Sequence, residues 1–133
     1  MQSPTKCIYK NRLGKAGELL AKEFMINEGH TFLKSNYRYD RAEIDLIFTK
    51  PGDKVKGTED EIIFTEVKTR RSKKFGEGEE SVDAKKQSQI RKGIEGFLYE
   101  NEQYRNHQIR IDVVVVYLMN NEKNIVHIKN AFY

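Results

Sequence analysis

Three residues in the middle of the chain, Asp45, Glu66 and Lys68, have the types and spacing that metal-assisted hydrolysis needs. Asp45 lies in an alternating apolar segment, residues 42–49, with Glu43, Asp45 and Ile47 on one face and Ile44, Leu46 and Phe48 on the other. Glu66 lies in a second such segment, residues 61–69, where Ile62, Phe64, Glu66 and Lys68 share a face opposite Ile63, Thr65 and Val67. A carboxylate buried alone on such a face costs several kcal/mol unless it is paired or binds a cation. Two carboxylates converging from successive strands repel, and a hard divalent ion relieves that repulsion by coordinating oxygens at roughly 2.0–2.1 Å. An ammonium two residues along the strand could help deprotonate a metal-bound water or stabilise charge on a phosphate. Two acids, a metal and a lysine suffice for phosphodiester hydrolysis. Taken singly, Glu66 and Lys68 equally fit an ordinary surface pair and Asp45 a salt bridge; the apolar Ile62 and Phe64 beside Glu66 favour the joint arrangement.

The elements that must position these residues follow from periodicity. Residues 1–10 read as a loose lead-in. A helix is expected over 11–28, with Leu13, Ala16, Leu20 and Phe24 as its stripe and Gly29 as its C-cap. Strands are expected over 31–39, 42–49 and 61–69, separated in part by a polar turn region at 51–60 that contains Gly52 and Gly57. A charged loop at 70–80 leads into a second helix, from Ser81 or Asp83 to Asn101, with Ile90, Ile94, Phe97 and Leu98 as its buried stripe. Residues 109–118 are apolar on both faces apart from Arg110 and Asp112, as in a strand covered on both sides, and 124–130 closes the sheet. The order α-β-β-β-α-β-β gives an α/β sandwich with a mixed central sheet flanked by helices. At 133 residues the chain is expected to form a single domain, residues 1–133.

Charge is unevenly distributed. The net charge is +4, but residues 68–92 carry nine basic and four acidic side chains, so that segment holds +5 and the remainder −1. An excess confined to one stretch suits a polyanionic partner, or alternatively a solvated loop and helix face. The single cysteine, Cys7, cannot form an intramolecular disulfide. There is no apolar signal-peptide core, and the longest apolar run, Val113 to Met119, is too short to span a bilayer. No membrane association and a cytoplasmic location are therefore expected. His30, His107 and His127 are scattered without metal-ligand spacing, and no P-loop, dinucleotide or zinc pattern is present.

Glu43-Ile44-Asp45-Leu46-Ile47 followed by Phe64-Thr65-Glu66-Val67-Lys68-Thr69-Arg70 resembles the signature of the YraN-like family of bacterial proteins. That family belongs with the PD-(D/E)xK nuclease superfamily, of restriction-endonuclease-like fold, and looks closest to archaeal Holliday-junction resolvases. Gly14, Gly17-Glu18, Ala21, Asn36-Tyr37-Arg38, Ser81-Val82-Asp83, Lys86 and Asp112-Val113-Val114 extend the similarity over roughly residues 11–116. The departures are an alanine, Ala42, where the family usually has glycine, the hydroxyl of Thr65, and a long 51–60 connection.

The resemblance implies a catalytic set of Glu18, Asp45, Glu66 and Lys68. Asp45 and Glu66 would bind Mg2+ or Mn2+ with the backbone carbonyl of Val67, and Glu18 would hold a second ion or a water. Glu18 equally fits a boundary residue pairing with Lys15 or Lys22 at helical spacing. Arg70, Arg71, Lys73, Lys74, Lys85 and Lys86 are the candidate phosphate contacts, although Lys86 could instead snorkel from a packed face. Glu43 and Gln89 are weaker candidates, and Asp112 is expected to pair structurally with a nearby basic residue. The implied activity is a Mg2+-dependent endonuclease cutting branched or structured DNA, acting as a homodimer. The alternative is a nucleic-acid-binding module on the same scaffold with little or no catalysis.

Overall fold

The computed structural model describes residues 4–71 and 82–132, with side chains from Arg12 onward. The order anticipated from periodicity is the order observed: α1 (Pro4–Asn27), β1 (Thr31–Tyr39), β2 (Ala42–Lys50), β3 (Glu61–Arg70), α2 (Ala84–Glu100), β4 (Gln108–Met119) and β5 (Glu122–Ile128). The strands form one mixed sheet in the order β1-β2-β3-β4-β5. Only β3 and β4 run parallel, and α2 makes the crossover between them, as a parallel connection requires.

The two helices cover opposite faces. Against α2 lie Ile44, Ile47, Ile62, Phe64, Ile111, Val113 and Val115; against α1 lie Leu46, Phe48, Ile63, Val114 and Val116. Ile44 therefore does not share a face with Leu46 and Phe48, as strict alternation had it. The departure lies in β2 between Ile44 and Leu46, and the residue between them is Asp45. On the α2 side Phe97 meets Tyr37 and Phe64 edge-on at 5.2 and 5.7 Å between ring centroids, and truncating such a residue typically costs about 3–5 kcal/mol. Leu98, expected in the stripe, is only partly buried, and Gly93 and Gly96 are buried in its stead. A Cβ at Gly96 would come within 2.1 Å of the Tyr39 ring, so the absent side chain is what lets α2 lie down on β1.

Helix α1 starts at Pro4, so residues 4–10 are helical where a lead-in was expected. Proline's fixed φ suits the first turn, where its missing N–H has no helical partner to lose. The helix ends as expected at Gly29, which has φ 95°. Its N–H bonds to the Ile26 carbonyl, and that of His30 to Met25, the paired bonds of a Schellman cap. The buried line on α1 is Gly17, Ala21 and Met25, with Leu20 and Phe24 at its flanks and Ala16 exposed. Small residues occupy the contact because the helix approaches the sheet closely. A Cβ on Gly17 would stand 1.9 Å from Thr69 Oγ1.

Helix α2 begins on Asp83, whose Oδ1 accepts the Lys86 N–H at 2.8 Å. The β4–β5 hairpin turns at Asn120 and Asn121, with φ 48° and 64°, as a two-residue type I′ turn demands. The 51–60 connection closes on itself through Gly52 N–H to Asp60 Oδ1 (2.8 Å) and Val55 N–H to Asp53 Oδ1 (2.9 Å). It leaves the sheet at the Lys50–Glu61 pair, five residues or about 17 Å along the strands from Asp45, and so is not beside the candidate site.

Candidate functional site

The β2–β3 ladder runs from Lys50–Glu61 to Leu46–Thr65 and stops there. The next positions in that register are Asp45 and Glu66. Instead of a backbone pair, Asp45 Oδ2 accepts the Val67 N–H at 2.8 Å, so the carboxylate takes over a ladder bond. A strand residue's N–H and C=O leave the backbone on the same side, which turns the Val67 carbonyl toward β2 as well. On the other edge of β2, the position between Ser35–Leu46 and Tyr37–Ile44 sets Asn36 opposite Asp45. Asn36 has φ 51° within a strand, a left-handed conformation that asparagine tolerates better than most residues.

Glu66 carries the clearest signature of an unsatisfied site. Its side chain is 12% exposed, Oε1 lies 3.6 Å from the Lys86 ammonium, and Oε2 is buried without a hydrogen-bond partner. Burial first, and the Asp45 charge second, push its carboxyl up to about 7, against the opposing pull of Lys86. Burial likewise raises Asp45, while the Val67 N–H and the Lys86 charge pull it back. Two acids held this way disfavour ionising together, and a cation between them removes the penalty.

Glu18 lies close enough to feel Asp45. Burial and the charge of Asp45 raise its carboxyl, while a hydrogen bond with the Asn36 side chain lowers it. Lys22, one of its possible helical partners, sits over the Phe32 ring at 3.9 Å instead. Among the described residues, no group of three or more His, Cys, Asp or Glu side chains converges to hold a metal ion. Glu18 thus lies near Asp45 without closing a cage. Asp45, Glu66 and the Val67 carbonyl could hold a small hard ion, because Mg2+ commonly uses one or two carboxylates and keeps several waters. The partnerless Glu66 Oε2 supplies the buried donor such an ion would satisfy.

Residues 17–116 match the family described as "Uncharacterised protein family UPF0102". The chain belongs to this family. It is 37% identical to a UPF0102 protein of Natranaerobius thermophilus over 123 residues, covering 90% of this chain and 95% of that one. It is 41% identical to one of Clostridioides difficile, covering 90% and 95%, and 40% identical to one of Caldicellulosiruptor bescii, covering 91% and 97%. The matched region runs from Gly17 to Val116 and takes in Glu18, Asn36, Asp45, Glu66, Lys68 and Lys86.

In this UPF0102 chain Lys68 is half-buried two residues past Glu66 on β3. Arg70 ends the strand, its guanidinium donating to the Thr69 carbonyl at 3.3 Å, and Arg71 follows, exposed. Lys85 is exposed on the first turn of α2, whereas Lys86 turns onto Glu66. Lys73 and Lys74, also expected to contact phosphate, lie outside the described residues. Glu43 is drawn outward to Arg38 at 3.7 Å. Ala42 does not have a positive φ, so the glycine it replaces is not required for backbone reasons. The Thr65 hydroxyl is buried without a partner.

A second polar cluster went unread in the sequence, where the histidines look scattered. In space His30 and His127 come together, with rings 6.4 Å apart, around β4. Arg110 donates to both Asp112 oxygens at 2.9 Å and contacts His30 Nε2 at 2.6 Å. His127 Nε2 lies 2.7 Å from Asp112 Oδ2, and the Asn130 N–H reaches Oδ1 at 3.1 Å. The partners lie 15 and 80 residues from their mates along the chain, so only Arg110 and Asp112, two apart on one strand, gave a local signal. Asp112 thus has the structural pairing anticipated for it.

Proposed function

We propose that this chain is a divalent-metal-dependent endonuclease acting on DNA, with Asp45, Glu66 and Lys68 as its reactive centre. The observation that carries the reading is the end of the β2–β3 ladder at Leu46–Thr65. The acid pair follows immediately, leaving Glu66 Oε2 buried and unpartnered. Asp45, Glu66 and the Val67 carbonyl would hold Mg2+ or Mn2+, which when bound lowers the pKa of water and offsets charge on a phosphate. Asp45 is oriented by the Val67 N–H and Glu66 by Lys86. Lys68 brings its ammonium to the same stretch of strand, where it stabilises charge on the phosphate under attack. Arg70, Arg71 and Lys85 border this end of the sheet and contact the DNA backbone, a role that carries no sequence preference. Branched or otherwise structured DNA is the substrate class that the sequence resemblance favours.

A second reading is a DNA-binding module that retains the scaffold without cutting. It is favoured by the absence, among the described residues, of a three-acid metal group and by the ammonium already on Glu66. One set of experiments separates the two. The full chain is incubated with junction, flap and single-stranded DNA in Mg2+, Mn2+ or EDTA, with Asp45→Ala, Glu66→Ala and Lys68→Ala variants alongside. The nuclease reading expects metal-dependent cleavage that all three substitutions abolish. Tight, salt-sensitive binding without cleavage in any metal supports the module, and cleavage unchanged in all three variants refutes the assigned centre.

A further inference from the structure

Lys86 belongs by sequence to the basic stretch expected to face DNA, yet its ammonium is directed inward. Its side chain is 41% exposed, and Nζ lies 3.6 Å from Glu66 Oε1, on an acid only 12% exposed. The local backbone fixes this direction. Asp83 caps α2 by accepting the Lys86 N–H at 2.8 Å, and Gln87 Nε2 donates to the Val82 carbonyl at 2.8 Å. Lys86 stands one turn before Ile90, which is 2% exposed, so its methylene stem leaves the helix on the side packed against the sheet. From there its charge acts on both acids, opposing the rise of Glu66 and of Asp45.

We propose that Lys86 is a resident counter-ion that holds the Asp45–Glu66 pair until a divalent cation displaces it, and that it thereby sets the metal affinity of the site. The inference rests on the metal-dependent reading above. A cation bound by Glu66 and an ammonium 3.6 Å from the same carboxylate repel one another, so each weakens the other's hold. Lys86 is therefore a positioning residue, keeping Glu66 oriented in the unloaded site and freed toward solvent or phosphate once the site is loaded.

The test is Mn2+ binding to the full chain without DNA, followed by electron paramagnetic resonance of free Mn2+ and by calorimetry. The proteins are wild type, K86M, K86Q, K86R, D45N and E66Q. Removing this partly exposed counter-ion should tighten Mn2+ binding in K86M and K86Q by about fivefold, while K86R stays close to wild type. Thermal melts establish that each variant is folded, and the two neutral variants guard against a fault peculiar to either. Equal or weaker Mn2+ binding in both, with wild-type binding still lost in D45N and E66Q, overturns the counter-ion role and leaves the metal reading standing. Failure of wild type, K86M and K86Q alike to bind Mn2+, or binding indifferent to D45N and E66Q, overturns both.

Discussion

Replacing Glu66 by glutamine should stabilise the metal-free protein at alkaline pH. Glu66 is raised from 4.5 to about 7, with burial as the main cause and Asp45 as the second. The fold therefore prefers its protonated form, and the contribution of Glu66 to stability is fully present below about 4.5 and is lost as the pH rises through about 7. Fully ionised, such a carboxyl costs the folded chain about 3 kcal/mol. Glutamine has nearly the same shape and cannot ionise, so the variant escapes that cost. The rise to about 7 already includes the opposing pull of Lys86, so losing that ion pair calls for no separate deduction. The net gain is about 3 kcal/mol at pH 8, or about 9–15 °C in Tm for a chain of this size, and it should close toward pH 4.5. Urea and thermal denaturation in EDTA at both pH values measure it directly. Glu66→Gln melting at or below wild type at pH 8 would refute the reasoning, since it would mean that the carboxylate is well satisfied where it stands. Mn2+ should then raise the Tm of wild type and not of the variant, because ligand linkage needs a bound ion.

Three further outcomes follow from the rest of the molecule. Asp112→Asn leaves the Arg110 guanidinium buried with only the partly exposed Glu61, 3.3 Å away, to balance it. It should cost about 3 kcal/mol or more, and a loss under 1 kcal/mol by urea denaturation would contradict the network. His30 is lowered chiefly by burial, so the fold prefers its neutral form, and its contribution is present above 6.5 and lost as the pH falls below that. The stability difference between wild type and His30→Gln should therefore shrink from pH 7.5 to pH 5; a difference constant with pH would exclude this. Gly17→Ala drives a Cβ into Thr69 and should destabilise by about 1–3 kcal/mol despite alanine's higher helix propensity. Combining it with Thr69→Ala should recover part of the loss, and strict additivity of the two would show that they do not meet.

The sequence carried much of this architecture because most of its signals are local. The alternation in β3, the Asp83 cap and Gly29 each act within a few residues and are realised in the structure. What depends on distance was missed. On α1 the apolar periodicity pointed to a stripe of Leu13, Ala16, Leu20 and Phe24, whereas the closest contact with the sheet is made through Gly17, Ala21 and Met25. Close packing is governed by what a residue lacks, which a hydrophobicity pattern does not register. The face switch at Asp45 was equally hidden, since alternation presumes an unbroken ladder. Asn36 did leave a trace, as a residue depleted from strand interiors in the middle of β1. The meeting of His30 and His127 with Arg110 and Asp112 left none beyond the Arg110–Asp112 pair itself, because it depends on the end of α1 arriving over β4.

Two buried acids in this sheet make opposite cases. Asp112 is fully enclosed, yet it accepts hydrogen bonds from Arg110, His127 and the Asn130 N–H, and these outweigh burial and hold its carboxyl below the usual range. Glu66 is less enclosed but has one ammonium at 3.6 Å and an oxygen with no partner, and burial wins. From sequence both are simply acids in apolar strands. A fold under selection for stability alone would complete the second as it completed the first. That Glu66 is left incomplete, at the one place where the β2–β3 ladder opens, is the physical reason to look there for a ligand that arrives from outside.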